Sequence, residues 1–230
     1  MATTTMPPPT RAEIVFDELS TSYEAAFSDL DYQHTAINWV LSELAASNIH
    51  PAKIVDIGCG PGVPVCSTLS EAGHDVLGTD VSGGMVDVAR KRVPNATFLK
   101  VDTRDWNPPA EEFDAVIIMF SILIGVTKDE IRETIAKAYR MLKPGGVFLF
   151  ATVAIEGEDV EVVWVGRSIP CTNFSPEGTV DAIKAVGFEL VKSEETKYWP
   201  GKAAGTGICR EDQVWEEPLL WIYARKPRGV

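Results

Sequence analysis

Apolar residues along this chain switch between two periods. Between residues 37 and 46 they fall at Ile37, Val40, Leu41 and Leu44, one face of a helix. Upstream, Tyr23, Phe27 and Leu30 keep helical spacing within residues 13–30 and predict one or two short helices there. From residue 53 onward, short continuous apolar runs alternate with amphipathic stretches. The runs at 53–57, 76–79, 97–101, 115–120 and 147–153 predict strands, and the stretches at 64–72, 84–92 and 129–142 predict helices. Gly73 closes the first of these helices and Pro94 stops the second. Pro144-Gly145-Gly146 ends the third, whose Ile131, Ile135, Ala138 and Leu142 face inward.

Continuous apolar strands separated by amphipathic helices indicate a mostly parallel sheet covered on both faces. After residue 153 the order changes. Residues 177–186 read as a helix, 188–195 as a sixth strand and 219–224 as a seventh. Only loop-like sequence rich in Gly and charge joins the last two, so the pair is more easily antiparallel; a parallel crossover needs a dozen or more residues and usually a helix. The expected fold is therefore α/β, Rossmann-like, with a seven-stranded, mostly parallel sheet, an antiparallel last strand and helices on both faces. The proline-rich start reads as a disordered tail over residues 1–12.

Composition narrows the partners. The 230 residues carry 33 acidic and 21 basic side chains, a net charge of -12. That field opposes polyanions, so nucleic acid and anionic membrane are not expected as partners. No stretch approaches the ~20 continuous apolar residues of a membrane span. Cys59, Cys66, Cys171 and Cys209 form no short Cys-x-x-Cys pair, and His34, His50 and His74 complete no ligand cluster by spacing, so no metal is expected. Reduced thiols and the lack of an export signal fit a cytoplasmic protein, a monomer or homodimer.

The chemistry gathers at residues 55–62, Val-Asp-Ile-Gly-Cys-Gly-Pro-Gly. Glycines in a strand-to-helix turn allow positive φ and close backbone approach, at the strand ends where ligands of open α/β sheets bind. A dinucleotide fingerprint reads Gly-x-Gly-x-x-Gly and receives a pyrophosphate. Here the spacing is Gly-x-Gly-x-Gly, and Asp56 stands just before it. An acid there repels a pyrophosphate and suits a cationic amine. S-adenosylmethionine carries such an amine and a sulfonium, and no phosphate. Asp80 ends the second strand, where a carboxylate accepts both ribose hydroxyls of an adenosine. Met85 either lies over the adenine face or fills the core. Asp102 and Thr103 follow the third strand, placed for the adenine amine and ring edge. Trp106 closes that pocket or serves as core or lid, and Arg104 with Asp105 reads as a local ion pair or cap.

Together, residues 56–62, Asp80, Val101-Asp102 and Leu142-Lys143-Pro144-Gly145-Gly146 resemble the class I S-adenosylmethionine-dependent methyltransferases. The stretch Tyr23-Glu24-Ala25-Ala26-Phe27 resembles especially the branch with the ubiquinone/menaquinone and secondary-metabolite small-molecule enzymes. The likeness runs from about Tyr23 to Lys226. It implies a helical lid over residues 13–50 and a cofactor-binding domain over 51–230, with acceptor-pocket inserts near 154–176 and 197–217. It also implies that Asp56 and Gly58 serve the methionine moiety, Asp80 the ribose, and Asp102 with Thr103 the adenine. Tyr23 would cover the cofactor, and Gly60, Val81, Met85 and Phe120 complete the set.

The acceptor side is less marked. Many relatives carry a histidine in the loop after the fourth strand, whereas here Ile124 falls at that place in an apolar loop. His34, on the lid, is the best single candidate for a catalytic base by its ordinary pKa. Ile124, Trp164, Arg167, Tyr198 and Trp199 are the candidate acceptor-pocket residues, aromatics giving rigid apolar walls. The expected function is methyl transfer from S-adenosylmethionine to an oxygen, nitrogen or sulfur of a small-molecule metabolite. Two alternatives stay open: a methyltransferase-like cyclase or isomerase that binds the cofactor without methyl transfer, and a non-catalytic partner protein on the same fold.

Overall fold

The computed structural model describes residues 10–229. Thr10 caps the first helix by accepting the Glu13 N–H, so α1 (Arg11–Leu19) begins inside the expected 1–12 tail; the rest of that tail, residues 1–9, lies outside the described residues. Two further helices follow, α2 (Tyr23–Ala26) and α3 (Tyr32–Ala46). The central alternation then runs β1 (Lys53–Ile57), α4 (Val65–Glu71), β2 (Asp75–Asp80), α5 (Gly83–Arg92), β3 (Thr97–Lys100), β4 (Phe113–Met119), α6 (Lys128–Met141) and β5 (Leu142–Val153). After it come β6 (Gly157–Trp164), β7 (Arg167–Asn173), α7 (Pro176–Ala185), β8 (Glu189–Tyr198), α8 (Gly201–Gly205) and β9 (Glu217–Arg225).

Seven strands form one sheet in the order β3-β2-β1-β4-β5-β9-β8. β1 to β5 run parallel, and β9 is antiparallel to both of its neighbours, β5 and β8. Side chains alternate across this sheet with period two. Ile54, Ala115 and Ile117 join a core under α3, α4 and α5, while Val55, Val116 and Ile118 join a second core under α6 and α7. All seven residues of β4 are buried, which is why its sequence is apolar apart from Asp114, whose carboxylate accepts the Lys53 N–H and the Lys143 ammonium, both at 2.8 Å. Local signals set the helix starts. Thr127 and Glu130 form a reciprocal capping box at α6, and Ser175 with Pro176 opens α7.

Three segments go beyond the expected elements. β5 starts at Leu142, because Leu142 pairs with Phe113 and a register shift absorbs the following Pro-Gly-Gly. The segment after β5 is a hairpin, β6–β7, forming its own two-stranded sheet with a register shift between Gly157 and Val160. The hairpin docks on the loop after β4 through an Ile124–Cys171 bridge and the Thr172 N–H donating to the Leu123 carbonyl at 2.9 Å. The 197–217 segment, expected as loop, contains α8 and a short 3-10 turn at Glu211–Gln213.

The N-terminal helices are tied to the strand ends. Asp17 of α1 accepts from Ser82 Oγ at 2.6 Å and the Gly84 N–H at 2.9 Å, at the N-terminus of α5. Glu13 pairs with Lys100 at 2.7 Å. Among the described residues, no helix is long and apolar enough to cross a membrane.

Candidate functional site

The turn between β1 and α4 is folded onto its neighbouring strands. The Gly58 and Cys59 N–H groups both donate to the Thr79 carbonyl of β2, at 2.7 and 2.9 Å. Gly58, Gly60 and Gly62 all have positive φ, the region glycine alone enters freely. The Asp80 carboxylate closes this unit: Oδ2 accepts the Gly60 N–H at 2.9 Å and Oδ1 the Ser82 N–H at 2.8 Å. Each oxygen keeps a lone-pair site for a further donor.

A cavity opens above these strand ends. Tyr23, Asp56, Gly58, Gly60, Asp80, Val81, Met85, Asp102, Thr103 and Phe120, the whole set of candidate cofactor residues, line it together. Phe120 directly follows β4 with φ +55°, an unusual conformation for an aromatic residue and one held at the cavity wall. Met85 is buried and does both things the sequence left open, lining the cavity and packing in a small core with Val15 and Leu19. Trp106 lines no part of the cavity; it packs beside Phe113 at the edge of the second core.

The electrostatics of this cavity are one-sided. Burial pushes the Asp56 carboxyl up to about 7, against the Cys66 thiol donating to it at 3.5 Å. Burial likewise pushes Asp80 up to about 6, against the N–H bonds from Ser82 and Gly60. Arg104 is the one Lys, Arg or His lining the cavity among the described residues, and it is already committed. It bonds the Asp102 carboxylate at 2.7 Å and reaches Glu130 at 3.1 Å. Burial pushes Asp102 up, but these bonds outweigh it and hold the group below its ordinary value. Lys137 of α6 pins the same loop, donating to the Thr103 carbonyl and, at 3.1 Å, to that of Arg104. Two buried carboxylates without a cationic partner form a donor set that fits a cationic, phosphate-free nucleoside and disfavours a pyrophosphate.

A second chamber adjoins the first, with Phe16, Tyr23, Gln33, Phe120, Ser121 and Ile124 common to both. Its walls come from the N-terminal helices, the β6–β7 hairpin and the start of β9. Phe27 stacks on Trp164 with centroids 5.5 Å apart, and the Tyr198 hydroxyl donates to Asp29 at 2.7 Å. Ile124, Trp164 and Tyr198 of the expected acceptor set line this chamber.

Three expectations need correction. His34 is exposed on α3 and lines neither space; helical spacing turns it outward and its neighbour Gln33 inward. Arg167 braces the hairpin, donating to the Val165 and Ile208 carbonyls at 3.1 and 3.2 Å, instead of facing the chamber. Trp199 is 56% exposed, just past the end of β8.

One chamber residue was missed altogether. Glu217 is only 6% exposed, and its Oε1 accepts the Trp164 indole N–H at 3.0 Å. Burial pushes its carboxyl up to about 7, with that hydrogen bond acting in the opposite direction. Glu216, just before β9, turns out to Lys197 at 2.7 Å, while Glu217, paired across the sheet with Tyr198, turns in.

Comparison with known proteins agrees with this geometry. A methyltransferase domain family matches residues 54–146. The ubiquinone biosynthesis O-methyltransferase of Mesorhizobium japonicum is 30% identical over 186 residues, covering 79% of this chain and 70% of that protein. The demethylmenaquinone methyltransferase of Clavibacter sepedonicus is 29% identical over 141 residues, covering 60% of this chain and 56% of that protein. The matches span 42% to 66% of the length of the first three curated relatives. The crystal structure of the [4+2]-cyclase SpnF superposes with a TM-score of 0.71 at 19% identity, over 98% of this chain and 100% of that one, a likeness of fold. The chain belongs to the class I S-adenosylmethionine-dependent methyltransferases, with S-adenosylmethionine as its cofactor.

Proposed function

We propose that this enzyme methylates an oxygen, nitrogen or sulfur of a small-molecule metabolite, with the cofactor in the acidic cavity and the acceptor in the adjoining chamber. The observation that carries the reading is the continuity of the two spaces through six common residues. Bound S-adenosylmethionine supplies a methyl group activated on a sulfonium sulfur. The chain's own residues then bind, orient and shield. Asp56 offers its carboxylate to a cationic amine, and Asp80 offers its remaining lone pairs to ribose hydroxyls. Asp102 and Thr103 face the base. The helices of residues 13–50 act as the lid, since Phe16, Tyr23 and Gln33 stand at the junction of the two spaces and limit water there. Alignment of acceptor and methyl group by such walls supplies much of the rate effect. The excess of acid over base supports a small-molecule partner in place of nucleic acid.

Incubation with methyl-labelled S-adenosylmethionine and a metabolite extract tests the proposal. Label should appear in a small molecule; tight S-adenosylhomocysteine binding with no labelled product would remove it. A second reading, cyclisation or rearrangement without methyl transfer, is kept by the full-length fold likeness to a cyclase and by the apolar residue at position 124. Product mass separates the two, because methylation adds one CH₂ and isomerisation adds nothing.

A further inference from the structure

We propose that Glu217 is the general base of the acceptor chamber and that the methyl acceptor is a hydroxyl group carried on an uncharged apolar body. The proposal rests on the methyl-transfer reading above and extends it to one residue and one acceptor class.

The chamber defines what enters. Phe27, Leu30, Leu123, Val153, Trp164 and Leu219 give it apolar walls. Among the described residues that line it, none is Lys, Arg or His, and two are acidic, Glu156 and Glu217. An anionic acceptor would meet these carboxylates with no cation to offset them. An ammonium would pair with Glu217 and keep its lone pair bound to a proton, useless as a nucleophile. A thiol ionises with less help and has small need of a carboxylate buried beside it. A hydroxyl is the acceptor that requires a base and donates a hydrogen bond to one.

Glu217 is placed for that work. Trp164 holds Oε1 and fixes the carboxylate plane, while no protein donor among the described residues bonds Oε2. That oxygen is not among the sealed, unpartnered atoms of the interior, so it is reached from the chamber. The titratable groups that line the chamber with Glu217 are Tyr23 from α2, Tyr198 from its partner strand β8, Cys171 from β7, whose thiol burial pushes up, and Glu156 from the loop after β5; Asp29 stands behind Tyr198. Burial pushes the Tyr23 phenol upward, and the charges of Glu217 and then Asp80 push it further, which places Tyr23 within reach of both spaces. Both phenols therefore stay protonated near neutral pH, and Glu217 is the group that accepts a proton there. In the reaction the acceptor proton passes to Glu217 Oε2 and the acceptor oxygen forms the new bond to the methyl carbon. The electron pair of the broken carbon–sulfur bond stays on sulfur, leaving a neutral thioether and a neutral Glu217 carboxyl.

The test compares wild type with Glu217→Gln and Trp164→Phe. Fragmentation mass spectrometry of the labelled product should place the methyl on oxygen; a methyl on nitrogen or sulfur overturns the acceptor class. With that acceptor, Glu217→Gln should lower kcat by roughly 100-fold or more and leave KM within about 3-fold, the usual scale for a lost base. Wild-type kcat at saturating cofactor should rise with pH through about 7 and level above it, a limb absent in Glu217→Gln. Trp164→Phe removes a hydrogen bond to the charged form, so its limb should move to higher pH. Infrared titration of the protein without acceptor should show one protonated carboxyl near neutral pH that Glu217→Gln lacks. A Glu217→Gln enzyme within about 2-fold of wild-type kcat, or an unchanged infrared titration, overturns the base assignment. Absence of transfer by wild type overturns the underlying methyl-transfer reading and this proposal with it.

Discussion

A β-carbon built on Gly58 would stand 2.0 Å from the Ser121 β-carbon, so the glycine turn after β1 and the loop after β4 touch with no room for a side chain. The Ser121 hydroxyl seals the contact by donating to the Ile57 carbonyl at 2.7 Å. Gly58→Ala combines this clash with φ +71° and should destabilise the fold by about 1–3 kcal/mol. It should also weaken S-adenosylhomocysteine binding by about 10-fold or more, since both partners line the cofactor cavity. Adding Ser121→Gly should restore part of both losses. Thermal melts and calorimetry of the two single variants and the double variant check this; strictly additive effects would show that the contact is unimportant.

Asp56 and Asp80 make cofactor binding depend on pH. Both folded-state values lie above the ordinary one, about 7 and about 6 against 3.8. The folded protein then binds more protons than the unfolded chain between those limits, so the two groups cost stability as pH rises from about 4 to about 7. A bound cation favours the ionised carboxylates and reverses that cost. Affinity for S-adenosylmethionine should therefore rise with pH up to about 7 and binding should release protons. Asp56→Asn should make the ligand-free protein more thermostable at about pH 8, lose that advantage below about pH 4, and bind the cofactor more weakly. Calorimetry in buffers of different ionisation enthalpy measures the protons released; proton uptake would refute the electrostatic account.

The gathering of the cofactor candidates at one cavity was readable in advance because it follows from local rules. A strand, a glycine turn and a helix place Asp56, Gly58 and Gly60 at the sheet edge whatever the rest of the chain does, and Asp80 repeats the logic one strand away. The acceptor side depends on pairing across long separations. Arg167 and Trp199 carry the right chemistry for a pocket, yet their directions follow from the β6–β7 register and from the end of β8, which no local period encodes. Glu217 was hidden for the same reason. Beside Glu216 it reads as one half of a solvated acidic pair, until the β8–β9 pairing opposite Tyr198 turns it inward. His34 erred by a single position on α3, the difference between an inward Gln33 and an outward histidine.

That correction has its own consequence. His34 is exposed and lines neither space, so His34→Ala removes no contact that binding or turnover uses. Its kcat, KM and cofactor affinity should match wild type, with stability changed by less than about 0.5 kcal/mol, as for an ordinary surface substitution. A clear loss of kcat with intact folding would return the histidine to the mechanism.

Lys137 braces the wall of the cavity from α6. Its ammonium, drawn down by burial, reaches from α6 to the carbonyls of Thr103 and Arg104 and fixes the loop that presents Asp102 to the cavity. Lys137→Met keeps most of the buried stem and deletes both charge-assisted bonds, at a stability cost of about 1–3 kcal/mol. The loop then loses its anchor on the α6 side, while Asp80 and the glycine turn keep every bond described above. Adenosine and S-adenosylhomocysteine should both bind about 3- to 10-fold more weakly to Lys137→Met, by a common factor, because the loss falls on the part of the site facing the base. Calorimetry with the two ligands measures that factor. A lowered melting temperature with unchanged affinity for both would mean that the lysine supports the fold alone and that the loop needs no such anchor to receive the ligand.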